Sequence, residues 1–140
     1  MLQRQSAFLF VVIVALVLVP FKVKAANESP AKIIQKSGAA GKWCSEPIHD
    51  RFAPDRYTRF EVTVTNDAKV HKRHLLKLYS RKAEVLLSEQ SYTLISSKGP
   101  NLEFNSYRLQ SANMEFLWVM PGRVGVKWRE EVLDLERCRR

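Results

Sequence analysis

Glycine is scarce in this chain, five residues in 140, and none falls in the spacing of a phosphate-binding loop. Nucleotide chemistry built on backbone amides around clustered glycines is thereby excluded. Histidine is scarcer still: His49, His71 and His74. On a helix His71 and His74 would share a face and, with His49 and Asp50 nearby, offer zinc a donor set. On a strand, residues three apart face opposite ways. Solvated imidazoles in a basic segment are the commoner case, so neither a metal nor a cofactor is expected. No Gly-x-Ser-x-Gly elbow is present, and the only cysteines, Cys44 and Cys138, read as a pair and not as nucleophiles. Glu130, Glu131 and Glu136 balance the charge of the C-terminal arginines. No catalytic residue stands out, and the chain is read as a non-enzyme; a carboxylate-based envelope hydrolase ranks third among the readings below.

Acidic residues and long apolar runs are also in short supply. Fourteen acids face 23 lysines and arginines, for a formal charge of +9. The longest apolar run, residues 7–19, has 13 residues, whereas a membrane-crossing helix needs about 20. Arg4 precedes this run, Pro20 ends it, and Val23-Lys24-Ala25 supplies a small-residue cleavage site. Residues 1–25 therefore read as a bacterial-type signal peptide, and the protein as exported to the periplasm or beyond. Lys22 and Lys24 oppose translocation, so an inner-membrane anchor formed by residues 7–20 is the alternative. Cleavage removes Arg4, Lys22 and Lys24 and no acid, taking the charge from +9 to +6. In an oxidising compartment an even cysteine count favours a Cys44–Cys138 disulfide. Residues 26–40 are polar and small and read as a flexible linker; residues 41–140 read as one domain.

What the domain does contain is alternation. Phe60, Val62 and Val64 face away from Arg59, Glu61 and Thr63. Leu102, Phe104 and Ser106, then Met114, Phe116, Trp118 and Met120, then Val124, Val126 and Trp128, repeat the period of two. Residues 92–96 and 132–138 add strands at either side. Lys98-Gly99-Pro100-Asn101, Gln110-Ser111-Ala112-Asn113 and Pro121-Gly122 have turn chemistry. The pattern predicts a mainly β fold, an antiparallel meander closing into a small barrel or half-barrel. Residues 67–90 are ambiguous. They read as a hairpin turning at Ser80-Arg81-Lys82, or as a helix with Leu75, Leu76, Tyr79, Ala83, Leu86, Leu87 and Gln90 on one face, which would make the fold α+β. The surrounding meander favours the hairpin. A disulfide requires Cα atoms within about 7 Å, so the first and last strands must lie together, as in a closed meander.

The domain opens on Gly41-Lys42-Trp43-Cys44, and Gly-x-Trp on the first strand of a meander resembles the lipocalin and calycin barrels. That resemblance implies a barrel plugged at one end by Trp43, with a basic residue near the last strand, Arg129 or Arg137, packed over it. The family's Thr-Asp-Tyr signature and its helix after the barrel are absent. The other reading of Trp43 is a core residue at the edge of a different β-sheet.

Two functions follow as expectations. The first is an exported, non-enzymatic binding domain of the envelope. It would take an apolar or amphipathic ligand inside the barrel or at its mouth, lined by Phe60, Tyr92, Phe104, Phe116 and Trp118. The second is an inhibitor or immunity-type protein acting on a protein partner. Exposed aromatics in residues 48–57, notably Phe52, would favour the second reading, and a deep apolar pocket the first. Lys69, Lys72, Arg73, Lys77, Arg81 and Lys82 occur with no acid between Asp67 and Glu84. They read either as a solvated face or as a surface for an anionic envelope component or an acidic protein. Export argues against nucleic acid, and membrane contact is expected only through an uncleaved signal segment.

Overall fold

The computed structural model describes residues 28–101 and 105–139. The expected signal peptide lies outside the described residues, as does Phe104. Among the described residues nine strands follow one helix: α1 (Pro30–Ser37), β1 (Gly41–Cys44), β2 (Ile48–His49), β3 (Arg56–Val64), β4 (Lys69–Leu78), β5 (Val85–Asn101), β6 (Ser106–Ser111), β7 (Phe116–Met120), β8 (Arg123–Trp128) and β9 (Glu131–Arg137). From β3 to β9 each strand pairs antiparallel with the next, and β1 pairs with both β3 and β9. Eight strands thus close into a barrel, and the short β2 attaches to β3 outside the ring.

The expected antiparallel meander is present and closed. Residues 67–90 form the β4–β5 hairpin, not the alternative helix. Here Val70, Lys72 and His74 stand opposite Val64, Val62 and Phe60 of β3. A helix would sacrifice that ladder and leave β3 an open edge inside the ring. Val62, Val64, Val70, Leu94, Leu109, Leu117, Val119, Val124, Val126 and Leu135 fill the interior and are buried. Side chains of this size pack a small barrel without leaving a channel.

Three expectations need correction. Residues 30–37 are not linker but helix, and α1 belongs to the core: Ile33 and Ile34 are buried within the main cluster. Ser29 caps the helix by accepting from the Lys32 amide at 3.3 Å, Pro30 opens it, and Gly38 ends it at φ 71°. The helix closes one end of the barrel. Gln35 donates to the Asn66 carbonyl of the β3–β4 turn, and the Lys36 amine lies over the Tyr107 ring, 5.1 Å from its centroid. Second, Lys98-Gly99-Pro100-Asn101 is not a turn but the end of the 17-residue β5. Gly99, at φ 122°, is needed because a Cβ there would stand 2.7 Å from the Ser106 carbonyl oxygen of β6. Third, the strand expected from Leu102 begins at Ser106 among the described residues.

The seam between β1 and β9 is short, with two residue pairs, Trp43–Arg137 and Cys44–Glu136. It is reinforced by the expected Cys44–Cys138 disulfide, which brings the Cα atoms to 4.9 Å across 94 residues of sequence. Among the described residues, no helix is long and apolar enough to cross a membrane.

Two stability predictions follow from the closure and the plug. Replacing both Cys44 and Cys138 by Ala is expected to cost about 2–5 kcal/mol, the range for restoring this much freedom to an unfolded chain. Urea denaturation monitored by tryptophan emission measures it. Ile34→Ala is expected to cost about 2–5 kcal/mol, as for a cavity in a packed core. A flexible linker would give no loss in the same assay.

Candidate functional site

At the closed end, Trp43 is 3% exposed and its Nε1 donates to the Ala39 carbonyl at 2.8 Å. The guanidinium of Arg137 lies 3.9 Å from the indole centroid and donates to the Ala40 and Gly38 carbonyls just after α1. Of the two candidates for the cation over Trp43, Arg137 fills the role, while Arg129 sits at the opposite end. Gly41 has φ 127°, and a Cβ there would collide with the Arg137 guanidinium. Glycine two residues before the Trp is therefore what lets the cation reach the ring. This end is sealed.

A cavity lies at the opposite end. Residues 48–53, Arg56, Tyr57 and Thr58 form one wall, and His74, Trp128 and Arg129 the other, around a volume of about 440 Å³. Its floor is an aromatic stack. Phe60 is buried and lies parallel to the His74 imidazole at 4.3 Å, while Trp128 meets Phe60 edge-on at 5.6 Å. The loop wall is held by its own hydrogen bonds. The Asp50 carboxylate accepts from the Phe52 amide at 2.9 Å, and the Ala53 amide donates to the Asp50 carbonyl at 3.0 Å. Phe52 is thereby held outward, 81% exposed. On the other side Arg129 occupies the turn between β8 and β9 at φ 57°.

Two polar side chains span the barrel below this mouth. Lys72 points inward from β4, and its Nζ donates to the Lys127 carbonyl on β8 at 3.2 Å, with the Glu115 carboxylate 4.0 Å away. Burial pushes the Lys72 pKa down, partly offset by Glu115. Tyr92 donates from its hydroxyl to the Phe116 carbonyl at 3.2 Å, linking β5 to β7. Burial raises its pKa well above the ordinary phenol value.

The five expected ligand-lining residues do not converge. Phe60 underlies the mouth and Tyr92 is an internal strut. Phe116 and Trp118 alternate with buried Leu117 and Val119 and so face outward. Arg108 and Lys127 lie over the Phe116 ring at 5.3 and 6.0 Å. Phe104 lies outside the described residues. The six-residue basic set is divided as well. Lys72 is inside the barrel. Lys69 pairs with Asp67 and Arg73 with Glu61, while Lys77 donates to the Leu78 carbonyl. Arg81 and Lys82 are exposed in the β4–β5 turn. Acids from neighbouring strands thus interrupt the face that looked uniformly basic in sequence.

His71 contacts Glu89 at 3.0 Å while His74 lies in the aromatic stack, on opposite faces of β4. Among the described residues no group of three His, Cys, Asp or Glu side chains is arranged to hold a metal. The residues that build the mouth, His74, Trp128, Arg129, Arg51 and Phe52, come from distant stretches of the sequence, and no pattern in the sequence groups them. Compared with known protein families, curated proteins and solved structures, the chain matches none of them.

The His74 pKa is lowered, first by burial and then by the charges of Arg129 and Lys72, and its Nε2 is buried without a hydrogen-bond partner. The fold therefore favours the neutral ring. Stability from this group is fully present above the unfolded-state pKa of about 6.5 and declines as pH falls toward the lower folded value. His74→Phe, which keeps the stack on Phe60, is expected to flatten the loss of stability between pH 7 and pH 5. Chemical denaturation at the two pH values measures this.

Proposed function

We propose that this is an exported, non-enzymatic binding domain that takes a small amphipathic ligand in the mouth of the barrel. The observation that carries the reading is the contrast between the two ends. One is plugged by α1 and Trp43, while the other holds a cavity of about 440 Å³ over an aromatic floor. That volume lies within the range typical of small-molecule sites, and the lining combines the Phe52, Tyr57 and Trp128 rings with charged and polar side chains. Of the two places expected for the ligand, inside the barrel or at its mouth, the filled interior favours the mouth. A lipocalin-like ancestry is favoured by Gly41, Trp43 and Arg137, which combine as that resemblance implies. The disulfide supports folding in an oxidising compartment outside the cytoplasm.

Phe52 favours a second reading, an inhibitor or immunity-type module. A large aromatic held out on a hydrogen-bonded loop is the kind of anchor that interfaces use. In that case the mouth would receive a partner's side chain in place of a free ligand.

A thermal-shift screen with small amphiphiles tests the first reading against Ala53→Trp, whose indole would fill the cavity. At least one compound is expected to raise the melting temperature of the native protein, because binding only the folded state stabilises it. The filled variant is expected not to respond. Equal shifts in both proteins, or none in either, would overturn the assignment.

A further inference from the structure

The rim of the mouth carries three guanidinium groups, from Arg51, Arg56 and Arg129, and one carboxylate, from Asp50. Their states differ. Arg56 is held by Asp55 through two hydrogen bonds, at 3.1 and 3.0 Å, so its charge is met on the spot. The Asp50 carboxylate accepts the Phe52 amide through Oδ1. Arg51 and Arg129 have no carboxylate partner among the described residues. Each instead lies over an aromatic ring at the cavity edge: Arg51 over Phe52 at 4.8 Å and Arg129 over Trp128 at 4.6 Å. A guanidinium stacked on a ring keeps its in-plane N–H donors free, and that fork matches the oxygens of a carboxylate or phosphate. Ile48, Ala53 and Trp128 give the same cavity an apolar part.

Resting on the reading of the mouth as a binding site, we propose that its ligand is an amphipathic anion. Its acidic head, a carboxylate or phosphate, would lie against the Arg51 and Arg129 guanidinium edges, with its apolar body on the Phe52 and Trp128 rings. Three features of the site agree with this. Both cations sit on opposite walls of one cavity. The aromatic rings beneath them hold each guanidinium without neutralising it. The imidazole of His74 at the floor, stacked on Phe60 with Nε2 buried, brings no negative charge to repel the head. A cationic amphiphile would meet three guanidinium groups and a single carboxylate at this rim.

The test uses two fluorescent probes that share one apolar body and differ in charge: 1-anilinonaphthalene-8-sulfonate and its uncharged parent N-phenyl-1-naphthylamine. Each is titrated into the folded protein at moderate and high salt. The sulfonate is expected to bind one to one, at least tenfold more tightly than the neutral probe, and to weaken as salt rises. In Arg51→Gln/Arg129→Gln its affinity is expected to fall at least tenfold while neutral-probe binding changes little. If the double variant folds poorly, Arg51→Gln alone and Arg129→Lys alone each serve, with a partial loss expected from either. Displacement by dodecanoate or by dodecyl phosphate, below micelle-forming concentration, then separates a carboxylate from a phosphate head. Equal affinity for both probes, or sulfonate binding indifferent to the arginine variants, would overturn the anionic assignment while leaving the mouth as an apolar site. If neither probe binds, the mouth reading fails and this inference with it.

Discussion

Closure by β1 is the constraint on which the other features depend. The strand has four residues, and its ladder to β9 has two pairs, so backbone hydrogen bonds alone make a weak seam. The Cys138 amide adds one more, to the Lys42 carbonyl at 3.3 Å, and two contacts of other kinds are concentrated there: the disulfide and the Arg137 guanidinium over Trp43. Arg137 also serves the helix, since its donors satisfy carbonyls just past the C-terminal end of α1. The plug and the seam are thus one assembly. Loosening it would uncover the interior row of valines and leucines and open the sheet to two unpaired edges.

The interior is apolar at the plugged end and becomes polar toward the mouth. Lys72 and Tyr92 mark the boundary. A buried ammonium is costly unless its protons are met, and here the Lys127 carbonyl and Glu115 meet part of that demand. Tyr92 acts where the β5–β6 ladder has not yet begun, since that ladder starts at Leu94. Its hydroxyl reaches past β6 to β7 and ties the wall together. These struts hold the aromatic floor of the mouth in place and account for a cavity that is shallow and set at the rim.

How much of this was legible in the sequence depended on whether the two faces of a strand differ. On β3, Arg59, Glu61 and Thr63 are polar and Phe60, Val62 and Val64 are not, so the inward face was unmistakable. On β7 both faces are apolar, and alternation alone does not say whether Phe116 and Trp118 or Leu117 and Val119 go inside. The ring has room for Leu and Val, and the larger aromatics stay out. The helix was written in its caps, Ser29-Pro30 and Gly38, but eight residues are too few for its period to show. Gly41-x-Trp43 announced the sealed end, whereas the choice of Arg137 over Arg129 required knowing at which end each strand finishes. The mouth was not legible, because its walls come from residues 48–58, 74 and 128–129, which only the closed barrel brings together.

The covalent link at the seam has a mechanical consequence. Cys44 and Cys138 lie near the two ends of the folded domain, and the bond between them makes a hoop of the chain that contains every barrel strand after β1. A pull applied on the two sides of this pair runs along the flanking segments and across the sulfur–sulfur bond, and the hoop between the cysteines is spared most of the load. Helix α1 and β1 lie outside the hoop and take that load through the plug and the β1 ladders, while the residues that wall the mouth all lie within it. Tethering this domain through its N-terminal segment would therefore not strain the site at the far end.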